Sequence, residues 1–473
     1  MSDPTWLSVL PPVLAIALAI ITRQVFVSLF MGIWLGWTIL RDWDPLSGLV
    51  AALDACVGVF GDGGNTKVII FSALVGALIA LTQASGGVGG FVDWVTDRKL
   101  VTTRRRAFLL SWILGVVIFV ESSMTALVNG AVCRPIFDKL KISREKLAYL
   151  CDSTSAPICI LIPLNAWGAY ITRLLGAEGY EEPVAILVAS MPYNLYAILA
   201  LALSLYLVLS GRDFGPMARA EARAAETGAV LRPGATPMMG EELTGLEPGP
   251  GVPRRARNFL LPVGTMVLMM PIGLYVTGDG DLMKGSGSTS VFWAVLAGTF
   301  LGAALMIGQR IGTLRSTTDV FFKGVGGLMP LAVLMVLAFA IGSMTRELGT
   351  GTYVAGLASA NLPPAILPLI LFVIACFIAF ATGTSWGTFA VMIPIAVPMV
   401  AVLPGSEALL LAAVLGGGIF GDHCSPISDT TIISSMASGS DHIDHVNTQL
   451  PYALSAAGVA GVLYLILGWL AVS

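Results

Sequence analysis

The sequence predicts an all-α polytopic membrane protein of two inverted repeats. Each repeat has about five transmembrane helices, with a re-entrant hairpin and a broken helix. Three observations lead there. Of the 473 residues, 56% are hydrophobic and 12% charged, about half the charged share of a soluble domain. The apolar runs are continuous and approach the ~20 residues that cross a bilayer, unlike the alternating pattern of a membrane barrel. The order of segments also recurs on either side of a polar middle. The formal net charge of −3 decides little, because orientation follows where Lys and Arg lie.

Taken in order, apolar spans are expected at 6–21, 25–40 and 67–84. The start carries no basic residue before the first run, which argues for a retained first helix rather than a cleaved leader. A Gly-rich polar stretch ends in Arg104, Arg105 and Arg106. Apolar arms then flank a polar tip at 121–125, and a second basic loop holds Lys139, Lys141, Arg144 and Lys146. Each arm has roughly fourteen residues, or ~20 Å of helix, short of a ~30 Å core. Both outer ends are basic, so 107–138 reads as a re-entrant hairpin. A broken span at 147–170 and a last span at 184–209 close the first repeat, 1–210.

Residues 211–258 are rich in Ala, Gly, Pro, Glu and Arg and read as an aqueous, partly disordered linker. The second repeat, 259–473, follows at an offset of 263. Trp37 falls on Phe300, Gly86 on Gly349, Glu121 on Thr384 and Ser122 on Ser385. Its hairpin is expected at 366–402 and its broken helix at 408–434. Five crossings per half reverse the second half. Loop 41–66 is acidic where its counterpart 310–323 is basic. The positive-inside bias then puts the linker in the cytoplasm and both termini outside. The expected location is a prokaryotic cytoplasmic (inner) membrane. Membrane lipids are the expected partners and nucleic acid is not. The oligomeric state stays open, a homodimer included.

Four polar interruptions result, at 121–125, 152–157, 382–388 and 421–431. An intramembrane ionisable residue is a functional-site hypothesis by default, and irregular backbone at that depth must be buried in protein or line a cavity. The ion-binding and proton-coupling candidates are Asp429, Asp422, Asp152 and Glu121. With them go the hydroxyls of Ser425, Ser428, Thr430, Ser122, Ser123, Ser153, Ser155, Thr384 and Ser385. These are hard oxygen donors, suited to a hard cation. Sodium fits by analogy, with Asp429, Asp422, Thr384 and Ser385 as its expected oxygens. If 422–429 is roughly helical, Asp422, Ser425 and Asp429 share a face. Two carboxylates there can trade a proton against a cation. No cofactor is expected; sodium and the proton are the moved ions.

The run at 421–431 and the later Asp444-His-Val-Asn-Thr-Gln-Leu-Pro-Tyr resemble the signature of the NhaC-type sodium/proton antiporter family. The stretch at 382–388, ahead of Met392-Ile-Pro, is similar to that family's other characteristic segment. The resemblance covers most of the chain and is strongest from about residue 320. It implies inverted repeats with paired hairpins, and sodium/proton exchange by alternating access. It leaves room for coupled transport of a small organic acid or amino acid, since relatives include organic-acid exchangers. Elevator-type relatives are commonly dimers.

Each feature also has a structural reading. Asp422, Asp429 and Asp152 can cap helices, and Glu121 can pair with Arg134 or Arg173. Asn165 and Asn129 can simply bond between helices. Trp386, Asn165 and His423 are candidate substrate or gate residues, though packing alone accounts for Trp386. For His423, His442 and His445 the expectation is helix-start contacts, with pH sensing as the alternative; the spacing argues against zinc. An enzyme is disfavoured, because HExxH-type spacing is missing.

Overall fold

A computed structural model describes residues 5–22, 24–97, 101–119, 122–237, 251–282, 284–426 and 428–472. These residues are helical apart from loops and one isolated bridge between Pro237 and Asp441. The first half runs α1 Leu10–Thr22, α2 Val25–Leu40, α3 Pro45–Gly58, α4 Gly63–Ala84 and α5 Gly87–Asp97. It continues with α6 Arg104–Val117, α7 Ser122–Lys139, α8 Arg144–Ser153, α9 Ala156–Leu161, α10 Ala166–Ala177, α11 Pro183–Ser190 and α12 Leu195–Ser210. Between the halves lies α13, Gly215–Thr227. The second half holds α14 Arg257–Thr277, α15 Gly287–Gly308, α16 Leu314–Gly327, α17 Met329–Glu347 and α18 Thr350–Asn361. Then come α19 Leu367–Thr382, α20 Ser385–Ala396, α21 Glu407–Cys424, α22 Asp429–Ser438 and α23 His442–Val472.

Among the described residues, seven helices are long and apolar enough to cross a membrane. An eighth arises if α8–α9 and α10, bent by 41° at their junction, count as one broken span. The apolar helices α1 and α2, with 13 and 16 residues, are shorter than a full crossing.

Segments expected to be loops carry helices instead. Residues 41–66 contain α3, because Asp44 accepts from the Leu46 amide at 3.0 Å and Pro45 occupies the first turn. Asp62 likewise starts α4, accepting from the Asn65 amide at 2.8 Å. Acidic residues that read as loop charge are N-caps. In 310–323, Thr313 and Ser316 form a reciprocal capping box that starts α16.

Part of the linker, read as partly disordered, is ordered. Helix α13 and residues 228–237 dock on the protein. Lys146 on α8 is fully buried and meets Asp213 at 2.5 Å. Glu221 accepts from the Ser143 amide at 2.9 Å and from Arg104 at 2.5 Å. Arg223 pairs with Glu145, and Arg232 with Asp444. The Gly/Pro-rich residues 238–250 lie outside the described ones.

Helix order recurs between the halves. Shifted by 263 residues, α5 begins where α18 begins. Helix α4 packs on α15 and α16 of the second half, and α17 packs on α2 and α3 of the first. Helices α19 and α21 make one of the most extensive contacts. Glycine allows it: a Cβ on Gly421 would stand 2.3 Å from the Phe380 amide nitrogen.

Candidate functional site

The helices break near each of the four polar stretches, three of them with a local cause. Helix α6 ends at Val117 and α7 begins at Ser122; residues 120–121 between them lie outside the described ones. Between α8 and α9 the break coincides with Pro157, which lacks the N–H that would continue the ladder. Between α19 and α20, Gly383 takes φ +66° and Thr384 is extended. Between α21 and α22, Ser425 turns extended ahead of Pro426.

Asp422 sits in the last turn of α21, fully buried. A carboxylate there opposes the macrodipole of its own helix, yet its Oδ2 accepts from the Ser385 amide, the first of α20, at 3.4 Å, as a capping acid does. Its Oδ2 accepts from the Ser385 hydroxyl at 2.6 Å, at the start of α20. Its Oδ1 accepts from the Ser428 hydroxyl at 2.5 Å, within its own break. Ser428 Oγ lies 3.0 Å from Thr430 Oγ1, and the Thr431 hydroxyl donates to the Asp422 carbonyl at 3.2 Å. One carboxylate thus gathers oxygens from the α19–α20 turn and from the break between α21 and α22.

The shared-face expectation for Asp422, Ser425 and Asp429 is corrected. Helix ends at Cys424 and restarts at Asp429, so no common helical face spans them. Ser425 turns away and donates to the Phe380 carbonyl at 2.7 Å. Asp429 opens α22; its side chain, like that of Ser123, lies outside the described residues, as does Glu121 entirely.

Asp152 lies near the end of α8, also fully buried. Gln449 Nε2 donates to its Oδ2 at 2.7 Å, and its Oδ1 is buried among the described residues. Asp422, Thr430 and Thr431 are its electrostatic neighbours. The same Gln449 amide donates to the His423 carbonyl. His423 Nε2 lies 3.0 Å from Ser153 Oγ, and Nδ1 lies 2.7 Å from the Tyr196 hydroxyl. The two broken helices are therefore stitched together through His423 and Gln449.

Other candidates have structural work. The Ser155 hydroxyl donates to the Asp152 carbonyl at 2.8 Å, and Ser122 is buried at the start of α7. Asn165 caps α10, accepting from the Gly168 amide at 3.1 Å and donating to the carbonyls of Phe119 and Cys159. Asn129 donates to the Ser111 carbonyl at 2.9 Å. Trp386 packs 5.1 Å from both Trp167 and Tyr170, and its carbonyl accepts from the Tyr170 hydroxyl at 3.0 Å. Arg173 is held by Asp62 at 2.5 Å.

The sequence reading did not single out Gln449, Ser435, Thr431 or Tyr196. A signal existed for the first: His445 and Gln449 stand four apart on a mostly apolar 31-residue helix, so both project from one face. No cluster of three or more His, Cys, Asp or Glu suited to a metal occurs among the described residues.

Residues 174–469, more than half of the chain, match the Na+/H+ antiporter family. The chain belongs to that family. It is 35% identical over 494 residues to an uncharacterized protein of Haemophilus influenzae, covering 99% of this chain and 92% of that one. It is 28% identical over 179 residues to the malate-2H(+)/Na(+)-lactate antiporter of Bacillus subtilis, covering 35% and 36% of the two chains. Its fold is similar to that of the YdaH transporter of Alcanivorax borkumensis, with a TM-score of 0.56 at 15% identity over 89% of this chain and 88% of that one. The antiporter is thus a membrane-embedded secondary transporter rather than an enzyme.

Proposed function

We propose that this antiporter exchanges sodium for protons by alternating access, with Asp422 at the cation site. The observation that carries the reading is the Asp422 carboxylate, fully buried and bonded to the hydroxyls of Ser385 and Ser428. An all-oxygen donor set suits a hard cation, and Thr384 and Asp429 stand next in sequence to those two serines. Asp152 is the second carboxylate of the pair, on the proton side. Two carboxylates buried in one network repel unless a positive charge joins them. A sodium ion or a proton meets that need, and their competition couples the two fluxes.

The architecture that serves this exchange is a pair of inverted repeats, 1–210 and 259–473, of about five crossings each. Their hairpins are 107–138 and 366–402, and their broken helices 147–170 and 408–434. The reciprocal packing of α4 and α17 across the halves supports the inversion. In this reading the linker is cytoplasmic, both termini lie outside, and the protein sits in the inner membrane. Hairpins and broken helices move as one body against the outer helices. No resident cofactor is needed.

A second reading, coupled transport of a small organic anion, draws on the name of the Bacillus subtilis relative. The site favours it less. Arg173 is ion-paired with Asp62. Arg134 lies beside Gly439, at the opposite end of α22 from Asp429. The deciding experiment is exchange in proteoliposomes with a trapped pH dye. Sodium-driven proton movement without organic solute supports sodium/proton exchange; movement that requires malate or lactate supports the second reading.

A further inference from the structure

We propose that His442, Ser435 and His445 form a proton relay that delivers the exchanged proton to Asp152. The inference rests on the sodium/proton reading above and deepens it. Helix α23 enters the buried centre with its first turns. His445 is fully buried, its Nε2 3.8 Å from Asp152 Oδ2 and 2.9 Å from Gln449 Oε1. Its Nδ1 lies 2.8 Å from Ser435 Oγ. On the other side of that hydroxyl, 3.0 Å away, is Nδ1 of His442. His442 is half-buried, and its Nε2 meets the Pro426 carbonyl at 2.7 Å.

Hydrogen-bond accounting gives this chain a direction. Gln449 spends its amide N–H groups on Asp152 and the His423 carbonyl, so its Oε1 can only accept. His445 must therefore carry a proton on Nε2. The Pro426 carbonyl likewise requires one on His442 Nε2. Ser435 has a single proton, yet it also touches the Thr431 carbonyl at 2.9 Å. Five contacts thus compete for three protons while both rings are neutral. A fourth proton, on His442 Nδ1, satisfies every contact except that from Ser435 to Thr431. It also points the chain from the half-buried ring to the buried one.

The hand-over balances. His445 gives its Nε2 proton to Asp152 Oδ2 and takes the Ser435 hydroxyl proton on Nδ1. Ser435 takes the Nδ1 proton of His442, which returns to neutral and reloads from solution. Reorientation of the His445 ring then brings its N–H back toward Gln449 Oε1 and a bare nitrogen back toward Ser435, which resets the chain. The charged and titratable groups around the relay include Asp152 on α8, His423 on α21, Tyr196 on α12, Asp441 and Asp444 flanking His442, and Arg134 on α7 and Arg144 on α8, both beside Gly439 at the end of α22. Arg232 of the linker holds Asp444 at 2.8 Å. Helix α22, which carries Ser435, begins with Asp429.

The test uses the full chain in proteoliposomes, reading exchange rate against pH, with sodium-dependent protection from thermal unfolding as an independent readout of binding. His445→Gln should slow exchange on the order of a hundredfold and flatten its pH profile, while sodium protection persists. His442→Gln should slow exchange and regain speed when imidazole is added. A His445→Gln protein with the wild-type rate and profile overturns the relay and leaves the exchange reading standing. Joint loss of exchange and sodium protection also overturns it, by making His445 structural. If that variant does not fold, His442→Gln decides, and a wild-type rate overturns the relay. A wild-type protein that moves no protons against sodium overturns the exchange reading itself, and the relay with it.

Discussion

Ser385, the first residue of α20, donates its hydroxyl to the buried Asp422 carboxylate at 2.6 Å. That bond joins the start of α20 to the end of α21 at the proposed cation site. A hydrogen bond to a charged group contributes about 1.5–3 kcal/mol. Ser385→Ala should therefore weaken apparent sodium affinity about tenfold, measured as the sodium concentration for half-maximal exchange, while maximal rate falls less.

Gln449 bridges Asp152 and the His423 carbonyl with one amide. Gln449→Leu leaves both acceptors buried and unpaired. It should destabilise the protein by about 1–3 kcal/mol, read as a lower thermal midpoint in detergent. An unchanged midpoint would show that the bridge contributes nothing.

The linker is anchored through a buried pair, Lys146 with Asp213, which also receives the Tyr452 hydroxyl at 2.7 Å. Removing one partner of a buried pair costs about 3–5 kcal/mol, whereas replacing both with apolar residues is often near neutral. Asp213→Leu alone should lower the thermal midpoint more than Asp213→Leu combined with Lys146→Met. Additive losses would contradict the pair.

Asp441 couples linker docking to pH. Partial burial raises its pKa, but hydrogen bonds from Thr236 and from the amides of Ile443 and Asp444 more than offset this and hold it below the ordinary 3.8. For a depressed acid, the stabilisation is present above the unfolded value and lost as pH falls through the folded one. Proteolysis of residues 228–237 should therefore accelerate only below the ordinary aspartate range. In Asp441→Asn that pH step should vanish.

The fold class was legible because continuous apolar runs and basic flanks report directly on the bilayer. Pro157, Gly383 and Pro426 marked breaks because each enforces a local backbone rule. Asp44 and Asp62 misled as loop charges, since a capping acid and a loop acid look alike until the following helix is seen. The linker misled for a related reason: its charges read as solvated, yet Glu221, Arg223 and Asp213 each find a partner more than 60 residues away in sequence. At the site, Asp422 stood out in sequence as a carboxylate inside an apolar run. Its bond to Ser385 crosses 37 residues, and that of Asp152 to Gln449 crosses 297. Neither distance leaves a local pattern, and for the uncharged Gln449 the only signal was its place one helical turn after His445 on an apolar helix.

The most direct measurement of the central claim is sodium-driven proton movement in proteoliposomes, comparing wild type with Asp422→Asn. The account predicts dye dequenching on sodium addition in the wild type and none in the variant, with both proteins folded. Equal exchange in the two would contradict the assignment of Asp422 to the cation site.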